Sequence, residues 1–185
     1  CPFVFAEETK TYPEWHTEEK NGLGFGLGIG NMFGGVLFYD RNFTEKTQLH
    51  IQLNSGSSTA ESLLGSKIEI TRGMILTTYR YFLQKNGGFY LGGGGGFGNS
   101  TLKYNDTIEY TSKMNGLFLT GEMGWQGIEG YYFNIGYQPS FYITLDDNFD
   151  VNKIPDISNH RSKSKEIHDN LKGLGILFIG FGWFF

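Results

Sequence analysis

The side chains that most often carry out catalysis or hold metals are few in this sequence, and they are not grouped. None of the four histidines has the spacing to a second strong ligand that a metal site requires. His160 and Ser162 lie close enough in the sequence to share a hydrolytic site, but chance proximity in a polar segment is the better explanation. We therefore expect no catalytic group, no metal and no cofactor, and a protein that is not an enzyme.

Basic side chains cluster within a long polar segment that runs from Leu145 to Asn170. Such side chains bind anionic groups, for example phosphates, through charge-assisted hydrogen bonds. Glu166 and Asp169 dilute the positive charge, so a solvated loop of mixed charge is the alternative interpretation. The candidate contact residues are His160, Arg161, Lys163, Lys165 and His168.

Arg80 and Glu122 are the charged residues whose positions suggest a direct interaction. Arg80 lies three residues before Leu83 and Glu122 lies four before Gln126, at the ends of two predicted strands that run in the same direction. The two charges should then have a similar depth inside a closed sheet. We predict a buried ion pair that fills its lower lumen, and we assign Arg72, which shares the parity of Arg80, to the same ion-pair group. The alternative is a wetter interior with unpaired, hydrated charges.

The elements that must position these side chains are β-strands, because large apolar residues alternate with small or polar ones along most of the chain. The last predicted strand, residues 171–185, shows this alternation most clearly. A soluble domain rarely exposes so many large apolar side chains in one row. The row consists of Leu177, Ile179, Phe181, Trp183 and Phe185.

The same alternation predicts eight strands. The connections after the second, fourth and sixth strands are short, whereas those after the third, fifth and seventh are longer and polar. This asymmetry is typical of membrane barrels, which have short turns on one side and long loops on the other. The second strand is predicted at residues 36–40, and the polar loops at residues 55–66, 99–112 and 145–170.

Aromatic residues concentrate at the end of the strands with the short connections. Aromatic rings of this kind form a girdle where a membrane meets water. The predicted girdle consists of Tyr79, Tyr81, Trp125, Tyr131, Trp183 and Phe185, and Phe89, Tyr90 and Tyr132 belong to the same belt.

The composition agrees with a membrane barrel. Aromatic residues make up 17% of the 185 residues, and 28 residues are glycine. Charged residues reach only 18%, against about 25% in an average globular domain. No apolar run approaches the roughly 18–20 residues of a membrane-spanning helix. A formal net charge of −4 gives no reason to expect nucleic acid as a partner.

The N-terminal residues precede the predicted barrel. Residues 1–6 look like the remnant of a secretory signal, residues 7–20 form a polar segment, and residues 21–185 form the barrel. Cys1 is the single cysteine, and the alternative is that it carries the lipid of a lipoprotein. Both interpretations imply export.

Together, the alternation, the loop asymmetry and the aromatic C-terminus resemble the small eight-stranded outer-membrane barrels of Gram-negative bacteria, of the opacity, adhesin and OmpA-like transmembrane type. The resemblance implies an all-β, eight-stranded, antiparallel, up-and-down transmembrane β-barrel in the bacterial outer membrane. It also implies contact with membrane lipid or lipopolysaccharide, and with the barrel-assembly machinery through the C-terminal strand.

The expected function is a surface-exposed structural or adhesin-like binding role, carried by the extracellular loops and directed at a host or surface polyanion. A narrow, porin-like channel for small or hydrophobic solutes is the alternative. A lipid-modifying barrel enzyme has the least support from the residues.

Overall fold

The computed structural model of the chain describes residues 20–29, 33–61, 67–84, 87–105, 109–129, 131–150, 162 and 176–185. Nearly all of these residues lie in β-strands. No helix in this part of the chain is long and apolar enough to cross a membrane. The strands are β1 (Asn21–Ile29), β2 (Phe33–Thr44), β3 (Thr47–Glu61), β4 (Lys67–Gln84), β5 (Gly87–Asn105), β6 (Glu109–Glu129), β7 (Tyr131–Gln138), β8 (Ser140–Asp150) and β9 (Ile176–Phe184).

These strands form a single closed, antiparallel sheet. Consecutive strands pair from β1 to β7, and β9 pairs with both β7 and β1. Both β7 and β8 pair with β6, so they are two segments of one barrel strand. The chain is therefore an eight-stranded β-barrel, which confirms the predicted fold class.

Pro139 separates β7 from β8 without changing the register of the ladder with β6. Its carbonyl accepts hydrogen bonds from the Gly121 amide (3.1 Å) and the Thr120 hydroxyl (3.0 Å). The proline ring has no N–H with which to continue the ladder. One backbone hydrogen bond is thus lost in the middle of a long strand that continues to Asp150.

The strands are staggered around the barrel. The row of paired residues that starts at Phe25 reaches Leu117 of β6 through β2, β3, β4 and β5. The row that starts at Phe25 and passes through β9 and β7 reaches Gly127 of the same strand, ten residues away. Such a stagger tilts the strands relative to the barrel axis. Rows of paired residues therefore climb away from the short connections as they pass from β1 to β5.

Several strands are longer than the sequence predicted. The second strand has 12 residues instead of the five predicted at residues 36–40. Each of the three predicted polar loops is partly sheet, because polar residues pair through their backbones and leave little apolar alternation in the sequence. Sheet occupies residues 55–61 of the first loop, residues 99–105 and 109–112 of the second, and residues 145–150 of the third.

Side chains on the two faces of the sheet alternate as predicted. Outward residues such as Phe25, Leu37 and Phe89 are more than half exposed, whereas the inward Arg80 and Gln48 are completely buried. The exterior is therefore apolar and the interior is partly polar, which is the reverse of a soluble barrel.

Candidate functional site in the barrel interior

The largest group of buried polar side chains lies inside the barrel, near the end with the short connections. At its centre, Arg80 of β4 donates through Nη2 and Nε to Oε1 of Glu122 on β6, with an Nε–Oε1 distance of 3.0 Å. The Arg80 side chain is completely buried, and the Glu122 side chain forms its ion pair with it in the same interior. The structure thus brings together the two residues for which an ion pair was predicted.

Other groups surround the Arg80 guanidinium. Its Nη1 donates to Gln48 Oε1 at 3.0 Å and lies 3.4 Å from Asp40 Oδ1. The guanidinium carbon lies 4.5 Å from the centre of the Tyr90 ring and 5.8 Å from that of Phe178. Cation–π contacts of this type add to the electrostatic stabilisation of a desolvated guanidinium. Arg80 is therefore held by side chains from several walls of the barrel.

The Glu122 carboxylate has partners besides Arg80. Its Oε2 accepts a hydrogen bond of 2.5 Å from the Thr78 hydroxyl. The Tyr90 hydroxyl lies 3.1 Å from Glu122 Oε1 and 3.0 Å from Asn134 Oδ1. Because buried charges are costly unless they are paired and hydrogen-bonded, these contacts allow the carboxylate to stay inside the barrel.

A second carboxylate, Asp40 of β2, completes the cluster. Its Oδ1 lies 2.6 Å from His50 Nδ1 on β3, and its Oδ2 accepts a hydrogen bond from the Tyr132 hydroxyl on β7. Asp40 is missing from the predicted interior set. The alternation along β2 would have placed it inside, because Leu37 and Tyr39 have the outward parity and Asp40 has the opposite one.

A column of amides continues the cluster along the inner face of β3. His50 Nε2 lies 3.1 Å from Gln52 Oε1, which also accepts a hydrogen bond of 2.8 Å from Gln138 Nε2 on β7. Gln52 Nε2 then donates to Asn54 Oδ1 at 2.7 Å. Hydrogen bonds therefore connect opposite walls of the barrel over several rows of residues.

Apolar side chains fill the space on either side of this polar cluster. Towards the short connections, the rings of Tyr132 and Phe184 are stacked with centres 4.5 Å apart. In the other direction, Met74, Leu76 and Phe118 form a buried cluster. A small pocket lined by residues that include Asn54 and Arg72 has a volume of about 30 Å³. A cavity of this size holds one or two water molecules.

Arg72 lies inside the barrel, but it does not belong to the ion pair. It is eight residues from Arg80 along β4, which corresponds to roughly 26 Å of strand. Its guanidinium carbon lies 5.9 Å from the centre of the Phe118 ring. Shared parity placed both arginines on the same face, but it could not give their separation along the barrel axis, so this part of the prediction is wrong.

The predicted aromatic girdle lies on the outer face. Tyr90 and Tyr132 are exceptions, because both are 1% exposed and point inward, where their hydroxyls contact Glu122 and Asp40. The backbone of Tyr131 pairs with Trp183, but its side chain lies outside the described residues. Outward, exposed members of the girdle are Tyr79, Tyr81, Phe89, Trp125, Trp183 and Phe185.

Two other predictions concern segments outside the described residues. One is the basic cluster formed by His160, Arg161, Lys163, Lys165 and His168, and the other is the N-terminal stretch up to residue 19. Within the described ranges, no three His, Cys, Asp or Glu side chains are grouped so that they could hold a metal ion.

Comparison with solved structures relates this geometry to known proteins. The chain superposes on Ail, the attachment invasion locus protein of Yersinia pestis, with a TM-score of 0.60 and 12% identity, over 90% of this chain and 99% of Ail. A major outer membrane protein of Thermus thermophilus gives a TM-score of 0.55 at 13% identity, over 90% and 99% of the two chains. The chain has the fold of a small outer-membrane β-barrel.

Two further structures support the same fold. The N-terminal barrel domain of Pseudomonas aeruginosa OprF matches with a TM-score of 0.50 at 10% identity, over 90% of this chain and 98% of that one. Ail in complex with the heparin analogue sucrose octasulfate matches with a TM-score of 0.54 at 11% identity, over 90% and 97%. No protein-family model and no curated protein sequence matches the chain.

The fold and the surface together give the location of the protein. A closed sheet with an apolar exterior is stable in lipid, because the backbone polar groups of its strands pair with one another within the barrel. The outer-membrane fold then places the protein in a bacterial outer membrane, as predicted. By the general rule for such barrels, the short connections face the periplasm and the opposite end faces the exterior.

Proposed function

We propose that the protein is a non-conducting outer-membrane barrel that acts at the cell surface, as a structural or binding protein, through its extracellular end. The observation that carries this proposal is the cluster around Arg80 and Glu122. Its hydrogen bonds join β2, β3, β4, β6 and β7 across the lumen, and rings pack against it. A lumen of eight strands is just wide enough for side chains to fill it.

The extracellular end provides a surface on which such a protein can act. On β4, β5 and β6 the outward side chains change from apolar to polar beyond the row of Ile75, Phe97 and Leu117. Lys103 and Lys113 are exposed on this polar extension of the wall. The residues that project from it include Glu69, Thr71, Thr101, Lys103, Thr111 and Lys113.

A polyanion is the partner class that the charges favour. Ail, which shares the fold, has been crystallised with a heparin analogue. In the present chain, Lys103 and Lys113 on the extension and the basic residues of segment 145–170 would supply the positive charge. We propose segment 145–170, through its cluster of basic residues from His160 to His168, as the main contact element. We expect the protein to have no catalytic activity.

Reconstitution into planar bilayers and liposomes tests the closed lumen. We expect folded insertion without discrete single-channel conductance and without leakage of small solutes, because the hydrogen bonds of the interior cluster cross the lumen from wall to wall. Reproducible conductance from the wild-type barrel would contradict the proposal and favour the narrow-channel alternative.

Binding to immobilised heparin tests the surface role. The double variant Lys163→Gln/Lys165→Gln should bind at least about tenfold more weakly at low salt, because each lost cation removes a charge-assisted contact. The matched control is Lys20→Gln/Lys46→Gln, which removes two lysines from the periplasmic end and should bind like the wild type. Equal losses in both variants would indicate non-specific attraction and would refute the assignment of the contact segment.

A further inference from the structure

The outer face of the barrel carries a groove that the interior cluster does not explain. Its volume is about 630 Å³, and it crosses the strands from β1 to β5. Its lower wall is formed by the large apolar side chains of one row of paired residues. Its floor is formed by the neighbouring row towards the exterior, whose outward residues are small. The wall consists of Phe25, Leu37, Leu53, Ile75 and Phe97, and the floor row of Gly35, Ser55, Gly73 and Asn99.

The packing of the barrel wall does not require the groove. At the neighbouring Gly34, which points inward, a Cβ atom would collide with the backbone of Ser55 and Gly56. At Gly35, which points outward, a Cβ atom would have no neighbour within 4 Å. A larger side chain therefore fits at Gly35 without disturbing the barrel, and the space above it is open to an external molecule.

The two ends of the groove differ in polarity. Because rows climb towards the exterior from β1 to β5, the Gly35 end lies deeper in the apolar belt than the Asn99 end. Asn99 accepts a hydrogen bond from the Gly73 amide (3.2 Å) and pairs with Asn115 of β6. The exposed Lys113 is a diagonal neighbour of Asn99, roughly 7–8 Å away and within reach of a lysine side chain.

We propose that this groove binds a phosphorylated glycolipid of the outer leaflet. One acyl chain lies over Gly35, against the apolar side chains of the lower wall. A headgroup phosphate lies at the Asn99 end, beside Lys113. The groove is continuous with the lipid-facing belt, so a membrane lipid reaches it by lateral diffusion. The adjoining pocket, which shares Gly35 and Ser55 with the groove, has a volume of about 30 Å³ and is too small for an acyl chain, so the lipid stays on the outer face.

The proposal rests on the outer-membrane location. It shares Lys113 with the surface proposed for polyanion binding, but it does not require segment 145–170. Native mass spectrometry of the purified full-length protein, titrated with diphosphoryl lipid A or with dioleoyl phosphatidylethanolamine, provides the test. We expect the wild type to bind lipid A at least about tenfold more tightly than the phospholipid, since a charge-assisted contact and a fitted chain together exceed 1.4 kcal/mol.

Variants locate the site. Gly35→Leu fills the groove from β2 and Ser55→Leu fills it from β3, and each should weaken lipid A binding about tenfold or more. Lys113→Gln should remove most of the preference for lipid A over the phospholipid. The matched control is Gly93→Leu, because Gly93 is also an exposed glycine whose Cβ would have no atom closer than 3.9 Å, but it lies outside the groove. Heat-modifiable migration on gels verifies that each variant is folded.

Three outcomes would overturn the proposal. The first is unchanged lipid A binding in folded Gly35→Leu and Ser55→Leu, and the second is an equal loss in Gly93→Leu. The third is a wild-type dimer that Gly35→Leu abolishes while lipid A binding is absent, which would assign the groove to a second copy of the chain.

Discussion

At the scale of single residues, Arg80 shows how a barrel can keep a full charge inside. Removing a guanidinium from water is expensive, and the attraction of one carboxylate offsets this cost only if the remaining donors are also satisfied. Arg80 meets that condition with Glu122, Gln48 and Asp40 as acceptors and the Tyr90 ring on one side. The same contacts fix the positions of the strands that carry them.

The ion pair should therefore contribute strongly to stability. Arg80→Ala should lower the free energy of unfolding by roughly 3–5 kcal/mol, because it leaves Glu122 as a buried charge without its main partner. Urea unfolding in detergent micelles, followed by tryptophan fluorescence, measures this change. The exposed Lys113→Ala should change it by no more than about 0.5 kcal/mol. A similar small effect in both variants would show that the pair is not a stabilising contact.

At the scale of strands, glycine decides how closely neighbouring walls approach. On β5, the glycines that point inward lie against the backbone of β4, so that a Cβ atom at Gly94 or Gly96 would collide with the carbonyl oxygen of Thr77 or Ile75. The outward Gly93 of the same strand is not constrained in this way. Glycine is thus required where a neighbouring backbone comes close, as at Gly94, Gly96 and the outward Gly95, whose Cβ would lie 2.7 Å from the Phe118 carbonyl oxygen, and it is not required at Gly93.

Two valine substitutions on β5 test this difference. Gly94→Val should strongly destabilise the barrel or prevent folding, because its Cβ would collide with Thr77 of β4. Gly93→Val should fold with near-wild-type stability, because only the Thr120 carbonyl oxygen, at 3.9 Å, approaches its Cβ. The yield of heat-modifiable barrel after refolding into detergent measures both, and equal yields would contradict the assigned faces.

At the scale of the whole molecule, the barrel is taller than its membrane-spanning belt. The hairpins β3–β4 and β5–β6 extend beyond the last apolar row by several pairs of residues with polar outward side chains. In this region the backbone ladder continues while the outer surface becomes polar. The extension therefore stands in water outside the membrane and carries the surface that we propose for binding.

Cysteine labelling on intact cells tests this geometry. In a Cys1→Ser background, Thr71→Cys should react with a membrane-impermeant maleimide, whereas Thr77→Cys should not. Both threonines are exposed and outward on β4, but they are separated by six residues, or roughly 20 Å. Similar labelling of both would contradict the position of the membrane. Labelling of Thr71→Cys only after the outer membrane is permeabilised would reverse the orientation.

The architecture of this protein could be predicted from its amino-acid sequence, because the period-two pattern of apolar residues is a local property that each strand displays independently. The sequence also placed Arg80 and Glu122 at one depth, since the strand ends supply a common reference. It did not show the full length of the hairpins, because polar residues pair through their backbones without an apolar signal.

Which inward side chains contact one another across the lumen is visible only in the folded barrel. Asp40, His50 and Tyr132 come from three different strands, and Tyr132 contacts Asp40 across 92 positions in the chain. Arg72 and Arg80 share a face and a strand, yet they lie in different parts of the interior. Parity assigns a side chain to a face, whereas the stagger and closure of the barrel set its height and its opposite neighbour.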